Sequence, residues 1–154
     1  MSEVIQGHEA ILKFAITMTR MASTPAGVEL PMPPPCATEV ECEYQELAVG
    51  KYLTAIVTAP AKYTNAFGAI QGGFLSGMID NIMAPLSFLS AMAPTRSIDL
   101  SVNFLAAVRP ADKLRIKAEV RKIGRTTLHM SADVFDVKDA LVATATSNLQ
   151  IMRP

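Results

Sequence analysis

The order of hydrophobic and polar residues predicts a run of four strands in the last third of the chain. Between residues 98 and 151, hydrophobic side chains occupy alternate positions over four stretches, the spacing of strands with one buried face. These positions are Ile98, Leu100, Val102 and Phe104; Leu114, Ile116, Ala118 and Val120; Leu128, Met130, Ala132 and Val134; and Leu141, Ala143, Ala145, Leu149 and Ile151. Short turns at Gly124-Arg125 and Lys138-Asp139 predict that the four strands form an antiparallel meander.

The first half of the chain predicts two helices and two further strands. Apolar residues at helical spacing predict a helix over 2–22, which would cover part of the core or a subunit contact. Five prolines between residues 24 and 35 exclude both a helix and a central strand there. The other predicted elements are strands over 38–47 and 52–59, a loop over 61–70, and a long helix over 71–92.

The long helix is apolar on nearly all of its faces, so other elements have to cover it. A curved antiparallel sheet wrapped around this one helix satisfies the order of elements, which predicts an α+β fold. We expect the compact domain to span residues 36–154, preceded by an N-terminal helix and Pro-rich linker over 1–35. A membrane span is the alternative for this helix, but Gln71, Asp80 and Pro85 would lie in its hydrocarbon region.

Composition narrows the possible partners. The 14 basic and 14 acidic residues balance, which argues against a nucleic-acid-binding protein, and the first helix has too few basic residues for a membrane role. Half of the residues are hydrophobic, which predicts a homo-oligomer. Cys36 and Cys42 fit no metal-binding spacing. Together with an N-terminus unlike a signal peptide, they predict reduced thiols in a cytoplasmic protein.

Asp80 is the first candidate for chemistry. It is the only ionisable residue between Phe67 and Ala93. A carboxylate removed from water costs free energy unless it is paired or used. The alternative is a structural acid bonded to backbone amides or to Asn81.

Gly72 and Gly73 are the second candidate, because the first N–H groups of a helix lack partners and carry a partial positive charge. A substrate carbonyl could accept a hydrogen bond there and be polarised. Alternatively, the two glycines only allow tight packing of the helix against the sheet. Asp80 lies roughly 12 Å further along the helix at 1.5 Å per residue. Two antiparallel helices across a two-fold axis would bring Asp80 of one chain to Gly72 of the other.

An ordered set of short motifs over residues 38–152 resembles the hotdog-fold acyl-CoA thioesterases of the phenylacetate-degradation (PaaI-like) type. The motifs are Asn65, Gln71-Gly72-Gly73, Asp80, the segment 97–105, Pro110-Ala-Asp112 and Gly124-Arg125. The resemblance implies hydrolysis of acyl-CoA in a homodimer or a dimer of dimers, with sites at the dimer interface. It implies no metal or cofactor beyond the coenzyme A of the substrate, because a thioester is already activated for acyl transfer.

The resemblance also implies the role of each site residue. The Gly72 N–H would polarise the thioester carbonyl, and Asp80 of the facing subunit would act as general base or nucleophile. Asn65 would position the carboxylate or the water, and Ser97 would support Asp80. The family usually has a histidine where this chain has Gln71, which puts in doubt any role of that imidazole.

Further residues are candidates for substrate binding. Gln71 and Gly73 would contact the substrate beside Gly72. Near the predicted Gly124 turn, Arg121, Lys122 and Arg125 are apt for the phosphates of coenzyme A. We interpret the other basic residues of that strand, Lys113, Arg115 and Lys117, as its solvated face. The alternative function is a non-catalytic hotdog module that binds an acyl thioester or serves as a structural partner.

Overall fold

A computed structural model describes residues 3–22, 31 and 33–153. Its helices are α1 (His8–Met21), the short α2 (Pro35–Thr38) and α3 (Gly72–Ala91), and a 3-10 turn spans Ala61–Tyr63. Its strands are β1 (Val4–Gln6), β2 (Cys42–Ala48), β3 (Tyr52–Thr58), β4 (Thr95–Phe104), β5 (Lys113–Ile123), β6 (Thr127–Phe135) and β7 (Leu141–Ile151).

The strands form one antiparallel sheet in the order β1-β2-β3-β5-β6-β7-β4. The predicted four-stranded meander is correct for β5, β6 and β7 and wrong for β4, which pairs with β7 and not with β5. The connection after β4 explains the difference. Ile70 N–H donates to Val108 O, and Ala59 N–H donates to Asp112 O. The connection is thereby tied to the end of β3, so β5 joins the sheet beside β3.

Helix α3 is the centre of the core. Eight of its residues are buried, among them Ile79, Met83 and Leu86 at 1% exposure or less. The inner faces of the strands pack against it, with β3 and β5 alternating buried and less buried residues as the period-two pattern predicts. Pro85 lies inside α3, and the helix continues past it to Ala91.

By length and composition alone α3 is apolar enough to cross a membrane. In the fold it is packed against the sheet as a core helix, which agrees with the prediction of a central buried helix.

The N-terminal region differs from the sequence prediction. Helix α1 begins at His8, because Val4–Gln6 form β1 and pair with β2, with Ile5 opposite Leu47. Gly7 makes the turn between strand and helix at φ 88°, a conformation that favours glycine. Residue 2 of the predicted helix and residues 23–30 and 32 of the predicted linker lie outside the described residues. The domain boundary at residue 36 stays a prediction.

Candidate active site

The N-terminus of α3 presents backbone donors. Gln71 is the N-cap residue, and its Oε1 accepts a hydrogen bond from Phe74 N–H at 3.3 Å. Within the described residues, no backbone or side-chain acceptor takes a hydrogen bond from the N–H of Gly72 or of Gly73. The first turn contains no acidic side chain. These two N–H groups can therefore donate to a ligand at the positive end of the helix dipole.

The glycine at position 72 also has a packing reason. A Cβ there would lie 2.9 Å from Phe104 Cζ, closer than real carbon contacts. At Gly73, a Cβ would lie 3.0 Å from Gln71 Oε1. Tight packing against the sheet therefore applies to Gly72, whereas the neighbour of Gly73 is the capping side chain of Gln71. Neither contact prevents the N–H groups from donating to a ligand. The alternation in β4 does not predict this role of Phe104, because it does not show which part of a helix the residue covers.

Asn65 organises the loop before α3. Its Oδ1 accepts from Phe67 N–H at 2.9 Å and from Ala69 N–H at 3.2 Å, and its own N–H donates to Ala69 O at 2.7 Å. The carboxamide oxygen is thus used within the loop, while its NH2 group makes no hydrogen bond to a described residue. The structure places Asn65 at the Gly72 end of α3 and not beside Asp80 of the same chain.

Asp80 is half-buried and is held by one hydroxyl. Ser97 on β4 donates from Oγ to Asp80 Oδ1 at 3.1 Å, so the two predicted residues do meet. Asn81, the other partner considered from sequence, donates to Cys36 O instead, at 3.3 Å. Along α3, eight residues separate Asp80 from Gly72, about 12 Å at 1.5 Å per residue. One chain therefore holds the acid and the donor apart.

The predicted basic residues lie at the Ser97 end of the sheet. Gly124 N–H donates to Thr127 O across the β5–β6 turn. Across the sheet, Thr127 on β6 pairs with Gln150 on β7, which in turn pairs with Arg96 on β4. The turn therefore lies two strand spacings, about 10 Å, from β4.

The basic residues differ in their pairing. Arg121 is paired with Glu119 at 2.8 Å and donates to Ser131 Oγ. In the described part of the chain, Lys122 and Arg125 have no ion-pair partner within 4.0 Å. These two are thus the more available cations for a phosphate.

The other basic residues discussed for β5 form ion pairs on its solvated face. Arg115 pairs with Asp139 at 2.7 Å and Lys117 pairs with Glu119 at 2.8 Å. The hydrogen bond from Lys117 lowers the pKa of the Glu119 carboxyl. Exposed pairs of this kind contribute little to stability.

The two cysteines are free thiols, and among the described residues no group of three or more His, Cys, Asp or Glu is placed to hold a metal ion. Burial raises the pKa of the Cys42 thiol to about 11 and that of the neighbouring Tyr44 hydroxyl to about 12. His8 is half-buried. Its Nδ1 accepts from Tyr44 N–H at 3.1 Å, and the two rings stack.

Comparisons with known proteins identify the family of the chain. The family model of the thioesterase superfamily matches residues 67–143, half of the chain. Human acyl-coenzyme A thioesterase 13 is 29% identical over 100 residues, which cover 58% of this chain and 71% of that protein.

Solved structures share the fold. The Escherichia coli PaaI protein from the phenylacetic acid degradation operon superposes with a TM-score of 0.73 at 18% identity, over 79% of this chain and 87% of that one. A hypothetical thioesterase from Streptococcus pneumoniae, solved with coenzyme A, gives a TM-score of 0.68 at 23% identity, over 73% and 86% of the two chains. The resemblance inferred from the motifs is thus confirmed: the chain belongs to the thioesterase superfamily and has the PaaI-like hotdog fold.

Proposed function

We propose that this protein hydrolyses acyl-CoA thioesters to a free acid and coenzyme A, at a site shared by two copies of the chain. The observation that carries the proposal is the pair Asp80 and Ser97, which holds a carboxylate ready on an otherwise apolar helix whose own N-terminus presents free donors. The human relative is named as an acyl-CoA thioesterase, and the streptococcal structure contains coenzyme A. Both support the choice of substrate.

The edge of the sheet supports a two-fold assembly. β4 is a ten-residue edge strand, and Ile98, Phe104 and Leu105 on or beside it are each more than half exposed. An uncovered edge strand of this length is a template for pairing with another chain. Pairing of β4 with its own copy would continue the sheet and set two α3 helices antiparallel. This homodimer, or a dimer of two such dimers, would bring Asp80 to the partner's helix N-terminus.

The surface of α3 fits such a contact. Gly73, Gly77 and Asp80 follow one another at helical spacing on the side of α3 that the other described residues leave accessible. A Cβ at Gly77 would meet nothing within 4 Å. Residues without side chains allow two helix backbones to approach closely.

The proposed reaction uses two groups of the protein, one from each copy of the chain. The thioester carbonyl oxygen accepts a hydrogen bond from Gly72 N–H, which polarises the carbonyl. Asp80 of the other copy removes a proton from water, whose oxygen forms a bond to the carbonyl carbon, and the negative charge that develops on the oxygen faces the helix N-terminus. The C–S bond then breaks and coenzyme A leaves with the proton from Asp80. Direct attack by the carboxylate, followed by hydrolysis of the anhydride, is the variant of this route.

The other predicted residues have supporting roles in this proposal. Ser97 holds the Asp80 carboxylate, and the Asn65 NH2 group positions the water or the carboxylate. Gln71 and Gly73 contact the thioester end of the substrate. The phosphates of coenzyme A bind near Arg121, Lys122 and Arg125, beside the Gly124 turn. The route needs neither metal nor redox cofactor, and we propose a cytoplasmic enzyme without nucleic-acid or membrane partners.

One observation favours the second candidate function, a non-catalytic module that binds acyl thioesters. Gln71 replaces the family histidine, and its side-chain oxygen is used to cap α3. In a binding module, the N-terminus of α3 would hold the thioester without turnover.

The test is the release of free CoA thiol from a panel of aryl- and alkyl-CoA thioesters. We expect Asp80→Asn to reduce kcat by roughly 10³-fold, within the range for loss of a general base, while the oligomer stays intact by light scattering. Asp139→Asn is the matched control, because that acid is 79% exposed and forms only a surface ion pair. It should retain activity within about twofold. Binding of acyl-CoA without turnover by the wild type would establish the binding module instead.

A further inference from the structure

A cavity of about 340 Å³ lies between α1, the second half of α3 and residues 31 and 33–37. Its walls are almost entirely apolar, with Ile11 and Ala15 contributed by α1 and Ala84 and Phe88 by α3. None of the roles assigned above uses it. The cavity, which we call the α1–α3 cavity, has the size and character of a small-molecule site.

The lining of the α1–α3 cavity reaches Asn81, the residue next to Asp80 on α3. Ala84, one of its lining residues, lies four positions after Asp80 on the same face of α3, where side chains are about 6 Å apart. Thr95, another lining residue, lies two positions before Ser97 on the same face of β4 and bonds Ser87 of α3. The carboxylate and the hydroxyl that holds it thus both lie next to residues that line the cavity.

The cavity is elongated along the two helices. Its lining runs from Ile11 to Thr19 on α1 and from Asn81 to Leu89 on α3, a separation of eight positions in each case, or about 12 Å of helix. At the ~30 Å³ that a water molecule occupies in the liquid, 340 Å³ holds on the order of ten groups of that size, and a methylene is comparable. A linear chain of roughly eight to ten carbons fits this length and volume.

We propose that the α1–α3 cavity binds the acyl chain of the substrate, a linear aliphatic chain of medium length, and that α1 together with residues 31 and 33–37 sets the length that is accepted. This rests on the proposed function, since the chain enters where the thioester meets Asp80. Both elements lie outside residues 67–143, the part that matches the family model. The bond from Asn81 Nδ2 to Cys36 O fixes residues 33–37 to α3 beside the acid.

An acyl-chain site of this size predicts how kcat/KM depends on the length of the acyl chain. Each methylene transferred from water to an apolar wall should raise kcat/KM by about fourfold, the equivalent of ~0.8 kcal/mol. We expect this rise over linear acyl-CoA substrates from two carbons upward, and a plateau or fall once the chain exceeds the cavity at about ten carbons.

A matched pair of threonines on α1 tests the site. Thr19 lines the cavity, whereas Thr17 is exposed on the outer side, and each donates from Oγ1 to the carbonyl four residues earlier. Thr19→Phe should lower kcat/KM for decanoyl-CoA at least tenfold and leave acetyl-CoA within about twofold, because the ring occupies the space of the chain. Thr17→Phe should leave the whole series unchanged. Equal losses on all chain lengths in Thr19→Phe, with the fold intact by circular dichroism, would overturn the proposal.

A second variant and a second readout keep this test separate from that of catalysis. Phe88→Ala enlarges the end of the cavity far from Asp80 and should move the plateau to longer chains. S-alkyl-CoA thioethers, which cannot be hydrolysed, report binding alone by calorimetry. If no thioester is turned over but thioether affinity rises with chain length and falls in Thr19→Phe, the cavity assignment stands and the hydrolase assignment fails. If turnover is present but neither variant changes the chain-length profile, the hydrolase assignment stands and the cavity assignment fails.

Discussion

The two halves of α3 differ in what covers them. Around Gly73 and Gly77 the helix is open, and its N-terminus presents donors to whatever approaches. From Asn81 to Leu89 the helix faces α1 and residues 31 and 33–37, with an apolar cavity left between them. The difference shows how one helix can serve chemistry at one end and substrate shape at the other.

The contrast follows from the apolar character of α3 on all sides. A helix of this kind must be covered along its whole length, because each exposed apolar side chain loses the free energy of burial. The sheet covers one side of both halves. Helix α1 lies over the other side of the second half. In our proposal, a second copy of the chain covers the other side of the first half.

The sharpest test of the open half removes one backbone N–H group. Gly72→Pro deletes this donor at the first helical position, where proline is well tolerated, and Gln71 before it already has the φ of −68° and ψ of 134° that a following proline requires. We expect kcat to fall roughly 10²- to 10³-fold, the range for loss of an oxyanion donor. CoA release at saturating substrate measures it.

Gly72→Ala is the control for this variant. It introduces the same Cβ against the Phe104 ring and keeps the N–H, so its loss of kcat should be much smaller than that of the proline variant. Equal losses in the two variants would mean that packing against Phe104, and not the donor, is what position 72 supplies. Mixed oligomers of Gly72→Pro and Asp80→Asn should regain part of the activity, because one of the two shared sites then contains both groups intact.

The helices and strands could be predicted from the sequence more fully than the pairing of the strands. Period two and helical spacing predict strands and helices because each depends on neighbours along the chain, and α3 was predicted within one residue of its observed ends. The pairing of β4 with β7 was not predictable in this way, since the alternation is the same whichever strand lies alongside. It is set by the connection before β5.

The candidate site also has one part that the sequence predicts and one part that it does not. Asp80 stands out in the sequence as a lone acid in an apolar run, and the ordered motifs predict its meeting with Ser97, which the structure shows. The α1–α3 cavity could not be predicted, because it depends on how α1 docks. The contact that anchors α1, His8 with Tyr44, joins residues 36 positions apart, and a lone histidine on a helix is more often solvated.

A smaller effect is expected at the boundary between the two halves. Ser97→Ala removes the hydroxyl that holds the Asp80 carboxylate, and a hydrogen bond to a charged group is worth ~1.5 kcal/mol or more, so kcat should fall about tenfold with KM little changed. Ser101→Ala, an exposed serine further along β4, should leave kcat unaltered. A rise of KM without loss of kcat in Ser97→Ala would assign the hydroxyl to substrate binding and not to support of the acid.

The smallest effect concerns the docking of α1. His8→Ala removes both the acceptor for Tyr44 N–H and the stacked ring, whereas His8→Phe retains an aromatic ring and removes only the acceptor. We expect His8→Ala to lower the free energy of unfolding by about 1 kcal/mol in urea titrations, with a smaller loss in His8→Phe. Because α1 forms one wall of the α1–α3 cavity, His8→Ala should also flatten the preference for decanoyl-CoA over acetyl-CoA. An unchanged preference despite the lost stability would show that the wall is held by Ile11 and Ala15 in the core, and that the His8 contact secures only the start of the helix.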